Sequence, residues 1–436
     1  MNNKTPRIAL YTLGCKVNQN ETDAIAALFE AKGYDIVEFE EIADIYVLNT
    51  CTVTHLADRK SRQIIRRCTK RNPQAKVVVT GCYAQMAPQD IERIPGVNLI
   101  IGTTGKNRIV DLVEEIEKDR NTLNYVEDLQ ENSFFEEIET ASIMGRARAY
   151  LKVQDGCEQF CTYCIIPYAR GNVRSRTLDS TLQEADRLIG LGFREIVLTG
   201  IHLGFYGRDI SKDINLEILL AKLLSINKNV RWRLSSLEPM ELSDRMLELM
   251  KTNANFCPHL HLPLQAAHND ILQSMNRPYT IEEYRQVLER AKKAVPDIAI
   301  TTDIMLGFPG ETISQFEDYL EFIEEMAFSG MHVFKYSPRK GTPAATYPDQ
   351  ISADIKEKRS HQVRCLADRL ELEYAKRFIG RVLSVLAEKE IEEGIWEGHS
   401  ENYLKVRFFS NSVKRGEIAP VELKEVRKGL YLGTSY

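Results

Sequence analysis

The sequence predicts an α/β protein with three parts: an N-terminal parallel α/β sheet domain, a partial TIM-type barrel of six βα units and a small C-terminal antiparallel β-barrel. Three observations predict this class. Strand-like and helix-like segments alternate in the first part of the chain, alternate again six times from residue 149, and give way to short glycine-separated runs after residue 380. Alternating βα segments are typical of parallel sheets with crossover helices, and closely spaced short strands are typical of small barrels.

The N-terminal part repeats strand, turn and helix three times. Each predicted strand ends in a cysteine-containing turn, LGCKVN, NTCTV or TGCYAQ, and a helical pattern follows each turn. Short β-loop-α repeats predict parallel strands whose loops gather at one edge of the sheet. The predicted strands are residues 7–13, 36–39, 45–49, 76–80 and 97–101, and the predicted helices run from about 18 to 32, up to about 71 and onward from about 88.

The second part contains six strand-like runs separated by amphipathic helical patterns. Six βα units are too few for a closed eight-stranded TIM barrel, so an open, partial barrel is predicted. The predicted strands are 149–154, 194–199, 230–235, 258–262, 298–303 and 331–336, and the helices between them include 178–191, 215–226, 281–294 and 314–327.

A helix is predicted from about residue 354 to 379, and alternating runs such as RVLSVLAE and NYLKVRFF follow it. These runs predict the small C-terminal barrel. An acidic segment with little apolar pattern separates the first two parts. The predicted boundaries are 1–118 for the sheet domain, 119–142 for the acidic connector, 143–372 for the barrel and 373–436 for the C-terminal barrel.

The composition is that of an ordinary globular protein. The 436 residues include 57 Lys and Arg against 62 Asp and Glu, for a net charge of −5, and 43% are hydrophobic. No apolar run approaches the ~20 residues that span a bilayer, and the N-terminus does not resemble a secretory signal, so we expect a cytoplasmic protein without a membrane segment. A basic run at residues 55–76 contrasts with an acidic one at 111–142.

Three of the nine cysteines form a C-x3-C-x2-C motif. Cys157, Cys161 and Cys164 follow the first strand of the six-unit repeat, at the end where barrel folds place their active sites. Three thiolates hold three irons of a [4Fe–4S] cluster and leave one iron open for another ligand. A zinc knuckle is the alternative, but zinc sites usually have four ligands and the sequence contains no second CxxC pair.

Cys15, Cys51 and Cys82 follow the three N-terminal strands, each by a few residues. Loops at the carboxyl ends of parallel strands meet at one edge, so these thiols are expected to converge near helix N-termini. From the residues alone, a second three-cysteine cluster and three unrelated turn residues both stay open. Cys68, Cys257 and Cys365 lack such a context and are interpreted as incidental or buried thiols.

The C-x3-C-x2-C motif, with the aromatic Tyr163 before its last cysteine, resembles that of the radical S-adenosylmethionine (SAM) enzymes. The resemblance implies that the open iron binds SAM and that reduction of the cluster cleaves SAM to a 5′-deoxyadenosyl radical. It also implies an electron donor, such as flavodoxin or ferredoxin, as a partner. In such enzymes the cofactor carries the chemistry and the protein positions the reactants.

LGCKVN, NTCTV and TGCYAQ, followed by a radical SAM core and a C-terminal barrel of the TRAM type, are similar to the methylthiotransferases over nearly the whole chain. The resemblance implies a second [4Fe–4S] cluster at Cys15, Cys51 and Cys82 that delivers sulfur. One SAM then methylates a sulfur at this cluster, and another supplies the radical that abstracts hydrogen from the substrate.

The sequences GCKVNQ at Cys15 and SPRKGTPA near residue 340 resemble the branch that methylthiolates C2 of N6-threonylcarbamoyladenosine beside the tRNA anticodon. The base must be splayed from the anticodon loop to reach the cluster. The alternative substrates are isopentenyl-adenosine in tRNA and an aspartate of a ribosomal protein. An alternative of another class is a non-catalytic iron–sulfur protein that binds RNA or transfers electrons.

Candidate SAM contacts lie at the carboxyl ends of the predicted barrel strands, where glycines and hydroxyls allow close approach to a nucleoside. The Gly-Gly-Glu of many radical SAM enzymes is replaced here by Thr199-Gly200-Ile201, and ordinary strand-end turns are the alternative reading of each position. His259 and His261 point to the same side of one strand, as a metal pair or as a polar layer. The candidates are Thr199, Gly200, Ser235, Glu238, Gln265 and Asp303.

A cationic stripe is predicted on the helix after Cys51. Arg59, Arg62, Arg66 and Lys70 recur at helical spacing, which is typical either of a solvated face or of a phosphate-binding track. We expect Arg174 and Arg339, with Arg170, Arg176 and Lys340, to extend the track. In the C-terminal barrel, Tyr403 and Phe408 are candidates for stacking on RNA bases.

Overall fold

Six parallel strands form the N-terminal sheet of the computed structural model, which describes residues 5–116, 121–129, 134–139, 146–427 and 429–435. The strand order is β2-β1-β3-β4-β5-β6, and every pairing is parallel. The parallel α/β domain predicted from the sequence is therefore confirmed. The strands are β1 Arg7–Thr12, β2 Asp35–Val37, β3 Ile45–Thr50, β4 Lys76–Gly81, β5 Leu99–Ile101 and β6 Leu123–Tyr125.

The helices of this domain cover both faces of the sheet and bury two apolar clusters against it. The central strand β3 is buried along its whole length, as expected for a strand covered on both faces. One helix was not predicted: the residues TGCYAQ, expected to form a turn, include the start of α3. The helices are α1 Lys16–Ala31, α2 His55–Arg71, α3 Cys82–Met86, α4 Pro88–Glu92 and α5 Ile109–Glu114.

Part of the predicted acidic connector belongs to the N-terminal sheet. Strand β6 pairs with β5 in parallel register, from Leu99 opposite Leu123 to Ile101 opposite Tyr125. Farther along, Phe134 is exposed, whereas the ring of Phe135 lies 5.4 Å from the Lys152 ammonium. The rest of the segment, residues 119–120, 130–133 and 140–142, lies outside the described residues.

Six parallel strands form an open, partial barrel, here called the half-barrel, as the sequence predicts. They make two sheets, β11-β10-β7 and β12-β13-β14, which isolated bridges from Trp232 to Phe256 and from Ser236 to His261 join. A short hairpin, β8 with β9, lies beside the first strand. The strands are β7 Ala149–Lys152, β8 Gln154–Asp155, β9 Arg174–Ser175, β10 Glu195–Thr199, β11 Arg231–Leu234, β12 His259–His261, β13 Ala299–Leu306 and β14 Gly330–Lys335.

Side-chain caps fix where the outer helices of the half-barrel begin. Thr280 and Thr312 each form a reciprocal capping box with the residue three positions later, Glu283 and Gln315. The apolar faces of the helices then pack on the strands in one large core. The helices are α6 Ile166–Arg170, α7 Leu178–Gly190, α8 Leu216–Ile226, α9 Asp244–Thr252, α10 Asn269–Ser274, α11 Ile281–Ala294 and α12 Ile313–Met326.

A long helix, α13 Ala353–Lys376, leads to a closed five-stranded barrel with the order β15-β16-β17-β19-β18. Four of its pairings are antiparallel, as predicted, and the pairing of β17 with β19 is parallel. Among the described residues, no helix is long and apolar enough to cross a membrane. The strands are β15 Val382–Glu392, β16 Ile395–His399, β17 Lys405–Phe409, β18 Ile418–Arg427 and β19 Leu430–Ser435.

The prediction that Phe408 stacks on RNA is wrong. Phe408 is only 2% exposed and packs in the core of the C-terminal barrel, whereas its neighbour Phe409 is 56% exposed. Successive side chains of a strand point to opposite faces, so an error of one position exchanges the core face for the solvent face.

A buried ion network joins the N-terminal domain to the half-barrel. The Arg170 guanidinium lies 2.8 Å from Glu21 Oε1 of α1 and 3.1 Å from Asp155 Oδ1 of β8. The Lys152 ammonium bridges the same two carboxylates at 2.9 and 2.6 Å, and the Lys106 ammonium lies 3.5 Å from Glu21. All five side chains are at least nine-tenths buried.

The carboxylates of this network are held in their charged form. Burial alone raises the pKa of Glu21 and Asp155, but the Lys152 and Arg170 cations outweigh burial and hold both pKa values well below the usual range. Removing one member of such a network leaves the others buried without compensation. The charges therefore keep the two domains in one relative position.

We predict that Arg170→Met lowers the free energy of unfolding by about 3–5 kcal/mol, because Glu21 and Asp155 lose one of the two cations that they share. Urea denaturation of both proteins measures the change. Arg369→Met is the matched control, because Arg369 pairs with Glu324 and Glu373 on the surface, where a change within about 0.5 kcal/mol is expected. Equal effects of the two substitutions would contradict the role given to Arg170.

Candidate iron–sulfur and substrate site

Cys157, Cys161 and Cys164 lie in the loop between β8 and α6, at the carboxyl end of the half-barrel. A glycine fixes the start of the loop: Gly156 has a φ of +77°, and a Cβ there would lie 1.8 Å from the carbonyl oxygen of Asn172. Two backbone hydrogen bonds close the loop, from Cys157 N to Gly171 O at 3.1 Å and from Cys164 N to Cys161 O at 2.9 Å. The thiols are therefore held by the loop itself.

Two basic side chains that the sequence did not predict as site residues contact these thiols. His202 Nδ1 lies 3.4 Å from Cys157 Sγ, and its Nε2 lies 2.7 Å from Glu241 Oε1. Arg277 donates to Cys161 Sγ at 3.4 Å and also to Glu238. His202 follows the strand end Thr199-Gly200 and was within reach of sequence reasoning, whereas no spacing motif marks Arg277.

The surroundings of the three thiols suit a bound metal cluster. Burial raises the pKa of Cys164 to about 12 and also raises that of Cys161, so without a metal these thiols keep their protons. A metal replaces the proton and removes this cost. Around Cys157, burial opposes the His202 cation, but contacts with Cys157 and Glu241 outweigh it and raise the pKa of His202 to about 9.

The second set of thiols converges as predicted at the carboxyl edge of the N-terminal sheet. Cys15 precedes α1, Cys51 follows β3 and Cys82 begins α3. The turns pack tightly: a Cβ on Gly14, which has a φ of +115°, would lie 3.1 Å from Cys51 Cβ. Burial and the neighbouring Cys82 raise the pKa of the Cys51 thiol to about 12. A three-thiol metal site fits this arrangement by the same argument.

Arg170 lies between the two sets of cysteines. The charge of its guanidinium interacts with the Cys82 thiol and opposes the rise in the pKa of that thiol on burial. The guanidinium also donates to Asn18 Oδ1 at 2.9 Å, and this oxygen lies 3.3 Å from Cys15 Sγ. Its partner Asp155 is two residues before Cys157. The buried ion network therefore also fixes the spacing of the two thiol sets.

A cavity of about 210 Å³ opens beside Cys164. Gln265 and Asp303, two of the predicted SAM contacts, line it with Tyr163, and Val53 of the N-terminal domain lines the opposite wall. Gln265 has a φ of +63°, which a non-glycine residue rarely adopts and which is common at functional sites. The cavity therefore lies between the two domains that carry the thiols.

The other predicted SAM contacts surround the same strand ends. Thr199 is buried at the end of β10, and Gly200 packs against Gln154, whose Oε1 would lie 2.9 Å from an added Cβ. Glu238 accepts from Arg277. Among the described residues, the buried Ser235 Oγ has no hydrogen-bond partner, and neither has Oε2 of Glu241, which was not a predicted contact. Buried polar atoms without partners are uncommon, and a polar cofactor such as SAM would supply partners for them.

The His259 and His261 side chains share one partner instead of forming a metal pair. Both ring nitrogens lie near Thr301 Oγ1, at 3.0 and 2.9 Å. His261 Nε2 also lies 3.2 Å from Asp303 Oδ1, in a geometry that does not align a hydrogen bond. The structure thus favours the polar layer that the sequence analysis considered.

The predicted basic track is present only in part. Arg59, Arg66 and Lys70 are exposed on α2, and the half-buried Arg62 donates to the Tyr83 hydroxyl at 2.9 Å.

The extension of the track by Arg174 and Arg339 is wrong, because both are less than one-tenth exposed. Arg174 lies 3.7 Å from Asp155, and Arg339 lies 2.7 Å from Asp58. Arg170 and Arg176 are buried as well. Their charges serve internal contacts and are not available to phosphate groups.

Comparison with known proteins places both thiol sets in described families. The family described as "Uncharacterized protein family UPF0004" matches residues 7–102, and the Radical SAM superfamily matches residues 151–323.

Similar proteins cover almost the whole chain. The threonylcarbamoyladenosine tRNA methylthiotransferase MtaB of Bacillus subtilis is 42% identical, over 95% of this chain and 93% of its own length. The MtaB of Thermotoga maritima is 36% identical, over 97% and 95%. The tRNA-2-methylthio-N(6)-dimethylallyladenosine synthase of Thermodesulfovibrio yellowstonii is 33% identical, over 97% and 96%.

Solved structures share the fold. The radical SAM methyltransferase TsrM of Kitasatospora setae, solved with cobalamin and a [4Fe–4S] cluster, has a TM-score of 0.58 at 14% identity and covers 78% of this chain and 77% of its own. The cobalamin-dependent SAM radical enzyme OxsB has a TM-score of 0.51 at 14% identity, over 86% of this chain and 56% of its own. Both confirm the arrangement of a sheet domain beside a half-barrel.

We predict that replacing Cys157, Cys161 and Cys164 together by Ala leaves about half of the iron in the anaerobically reconstituted protein, since each thiol set is expected to hold a similar cluster. Replacing Cys15, Cys51 and Cys82 should remove the other half. Iron analysis and the visible absorption spectrum measure the loss. The matched control replaces the remaining three cysteines, Cys68, Cys257 and Cys365, and should keep all of the iron.

Proposed function

We propose that this chain, which belongs to the methylthiotransferases of the radical SAM superfamily, adds a methylthio group to C2 of N6-threonylcarbamoyladenosine beside the anticodon of tRNA. The observation that carries the proposal is the 42% identity to the Bacillus subtilis MtaB enzyme across 95% of the chain. The adjacent thiol sets support it, because the reaction needs a sulfur source and a radical source side by side.

The reaction requires cofactors because the target C–H bond offers no acid–base handle. Two [4Fe–4S] clusters and SAM supply the sulfur, the methyl group and the radical when they are bound. The chain is expected to hold one cluster with Cys157, Cys161 and Cys164 and the other with Cys15, Cys51 and Cys82. Electrons for the first cluster would come from a donor such as flavodoxin or ferredoxin.

The protein's own side chains would position the reactants and exclude water. His202 and Arg277 lie beside the Cys157 and Cys161 sulfurs and would hydrogen-bond the sulfurs of a cluster held there. Gln265 and Asp303 offer polar groups to a nucleoside in the cavity. The placement of the reacting groups affects the rate strongly, because a misplacement of about 1 Å can lower it on the order of 100-fold.

The opening of the cavity suits a base splayed from an RNA loop. Val53 and Phe334, which line the cavity, are about half exposed, and Leu56 at the start of α2 is also exposed. Phe160 and Tyr168 form an exposed edge-to-face pair next to the Cys161 loop. Apolar and aromatic side chains of this kind stack on unpaired bases. The basic face of α2, which begins four residues after Cys51, is expected to contact the phosphates of the same loop.

Tyr403 of the C-terminal barrel, predicted to stack on RNA, stacks instead on two histidine rings of the protein, His259 at 4.3 Å and His399 at 4.7 Å. Any RNA contact by this barrel would use its outer face. A tRNA substrate would place the enzyme in the cytoplasm, as the sequence predicts.

Isopentenyl-type adenosine is the second candidate substrate, favoured by the 33% identity to the dimethylallyladenosine synthase of Thermodesulfovibrio yellowstonii. The higher identity to the MtaB enzymes argues for the threonylcarbamoyl substrate. The ribosomal-protein substrate and the non-catalytic reading have no comparable support.

We predict that the reconstituted protein, given SAM, reductant and sulfide, converts N6-threonylcarbamoyladenosine in tRNA to its 2-methylthio form, which mass spectrometry of digested nucleosides detects. Cys15→Ala should keep 5′-deoxyadenosine formation and abolish the product, because the first cluster remains intact. Cys365→Ala, which removes an exposed thiol of α13, is the control and should behave as wild type. Product formation by Cys15→Ala would refute the sulfur-delivery role.

We predict that reversing the charges of Arg59, Arg66 and Lys70 together to Glu weakens tRNA binding and reduces the slope of log affinity against log salt by about 2–3, since each phosphate contact contributes roughly 0.7–0.9. Titration of labelled tRNA at several salt concentrations measures the slope. The control reverses three exposed cations of α8 and α9, Lys222, Arg245 and Lys251. A slope that changes equally in both variants would contradict a specific track on α2.

A further inference from the structure

Five polar side chains from four elements lie in one group, here called the polar cluster, and one of them, Asp303, lines the cavity. The polar cluster consists of Lys16, His259, His261, Asp303 and His332. Lys16 is the first residue of α1, and the others belong to β12, β13 and β14. The ligand atoms of His261, Asp303 and His332 all lie within 4.8 Å of one another. The Lys16 charge interacts with Asp303, His259 and His332.

Lys16 is a cation without a fixed partner. It is half-buried, and in the described part of the chain its ammonium makes no hydrogen bond and no ion pair within 4.0 Å. The nearby Arg148 and Arg233 are engaged by Glu195, at 3.2 Å each. Ordering a long cationic side chain in a partly desolvated position costs free energy, and a bound anion would offset that cost.

Asp303 supplies an acceptor at the same place. Its Oδ1 is buried and has no aligned hydrogen bond to any described residue, although His261 Nε2 lies 3.2 Å away. Asp303 also lines the cavity beside Cys164. A molecule held in the cavity thus has a hydrogen-bond acceptor within reach, and the Lys16 charge, which interacts with Asp303, belongs to the same cluster.

We propose that Lys16 and Asp303 form a specificity subsite for the N6 side chain of the substrate, in which Lys16 binds its carboxylate and Asp303 accepts from its N–H or hydroxyl group. The inference rests on the proposed function and names the residues that select the substrate. The threonylcarbamoyl group carries a carboxylate, a hydroxyl and urea N–H groups, whereas a dimethylallyl group carries none. An apolar group here would leave both residues unpaired, which a site built for hydrogen bonds rejects strongly.

A divalent cation at His261, Asp303 and His332 is the competing occupant. Two features argue against it. The Lys16 ammonium adds positive charge beside Asp303, which opposes a dication. His261 already contacts Thr301 Oγ1, which it shares with His259, and His332, the remaining histidine of the set, is exposed. A bound anion that also carries a hydrogen-bond donor would pair with both Lys16 and Asp303.

The test compares two anticodon stem-loop RNAs, one with N6-threonylcarbamoyladenosine and one with its methyl ester, which removes the negative charge and adds one methyl group. Fluorescence anisotropy measures binding to the cluster-loaded protein, and mass spectrometry measures conversion. Wild type should bind the acid about 10- to 100-fold more tightly than the ester, as expected for a hydrogen-bonded charge. Chelator should leave this ratio unchanged, and loss of the ratio with chelator would establish the metal instead.

Lys16→Met should abolish the preference for the acid, and Lys16→Arg should restore most of it. Lys32→Met is the matched control, because it removes a lysine just after the other end of α1. Because Lys16 adjoins Cys15, iron content and the visible spectrum are measured on each variant. Asp303→Asn, far from Cys15 in the sequence, should weaken binding of acid and ester about equally, by roughly 10-fold.

The outcomes separate the two levels of the argument. The carboxylate subsite is refuted if Lys16→Met prefers the acid over the ester as strongly as wild type does, or if Lys16→Arg does not restore this preference. Unchanged binding by Asp303→Asn overturns the acceptor role. Wild type that converts the acid and the ester equally overturns the subsite and leaves the proposed function standing. Conversion of dimethylallyladenosine RNA alone overturns the proposed function and this inference with it.

Discussion

The buried charges around Arg170 are the constraint on which the rest of the structure depends. Arg170 follows the Cys157 loop, yet it holds Glu21 of α1 and contacts the Cys82 thiol of the N-terminal domain. Buried ion networks contribute little net stability, because desolvation offsets the attraction. Their main effect is on geometry, because charges and hydrogen bonds allow few alternative arrangements. In this protein that geometry sets how far one thiol set lies from the other.

The fold and the six cysteines could be predicted because their signals are local or periodic. A C-x3-C-x2-C loop needs only eight neighbouring residues, and three βα repeats place Cys15, Cys51 and Cys82 at one sheet edge by topology alone. The second thiol set needed the topological argument, since the three cysteines are more than 30 residues apart. The sequence therefore carries the positions of the thiols and says nothing of what packs against their sulfurs.

The errors concern burial, which depends on residues distant in the chain. In the sequence, Arg174 and Arg339 lie near other basic residues, as Arg59 and Arg66 do. Arg339 nevertheless pairs with Asp58, 281 residues earlier, across the domain junction. No charge pattern distinguishes an arginine that faces solvent from one that joins two domains. His202 and Arg277 were missed for the same reason, since each reaches its thiol from another part of the half-barrel.

Buried polar atoms without a hydrogen-bond partner occur among the described residues both in the core of the half-barrel, as at Trp232 Nε1 and Tyr319 Oη, and at its carboxyl side. At the carboxyl side, these atoms are Ser235 Oγ, Glu241 Oε2, His259 Nδ1 and Asp303 Oδ1. Each such atom costs about 1–3 kcal/mol, so a sequence selected for stability alone would replace them. Proteins depart from local rules chiefly at functional sites. The cost becomes understandable if the polar groups of SAM and of the modified base complete these hydrogen bonds when they bind.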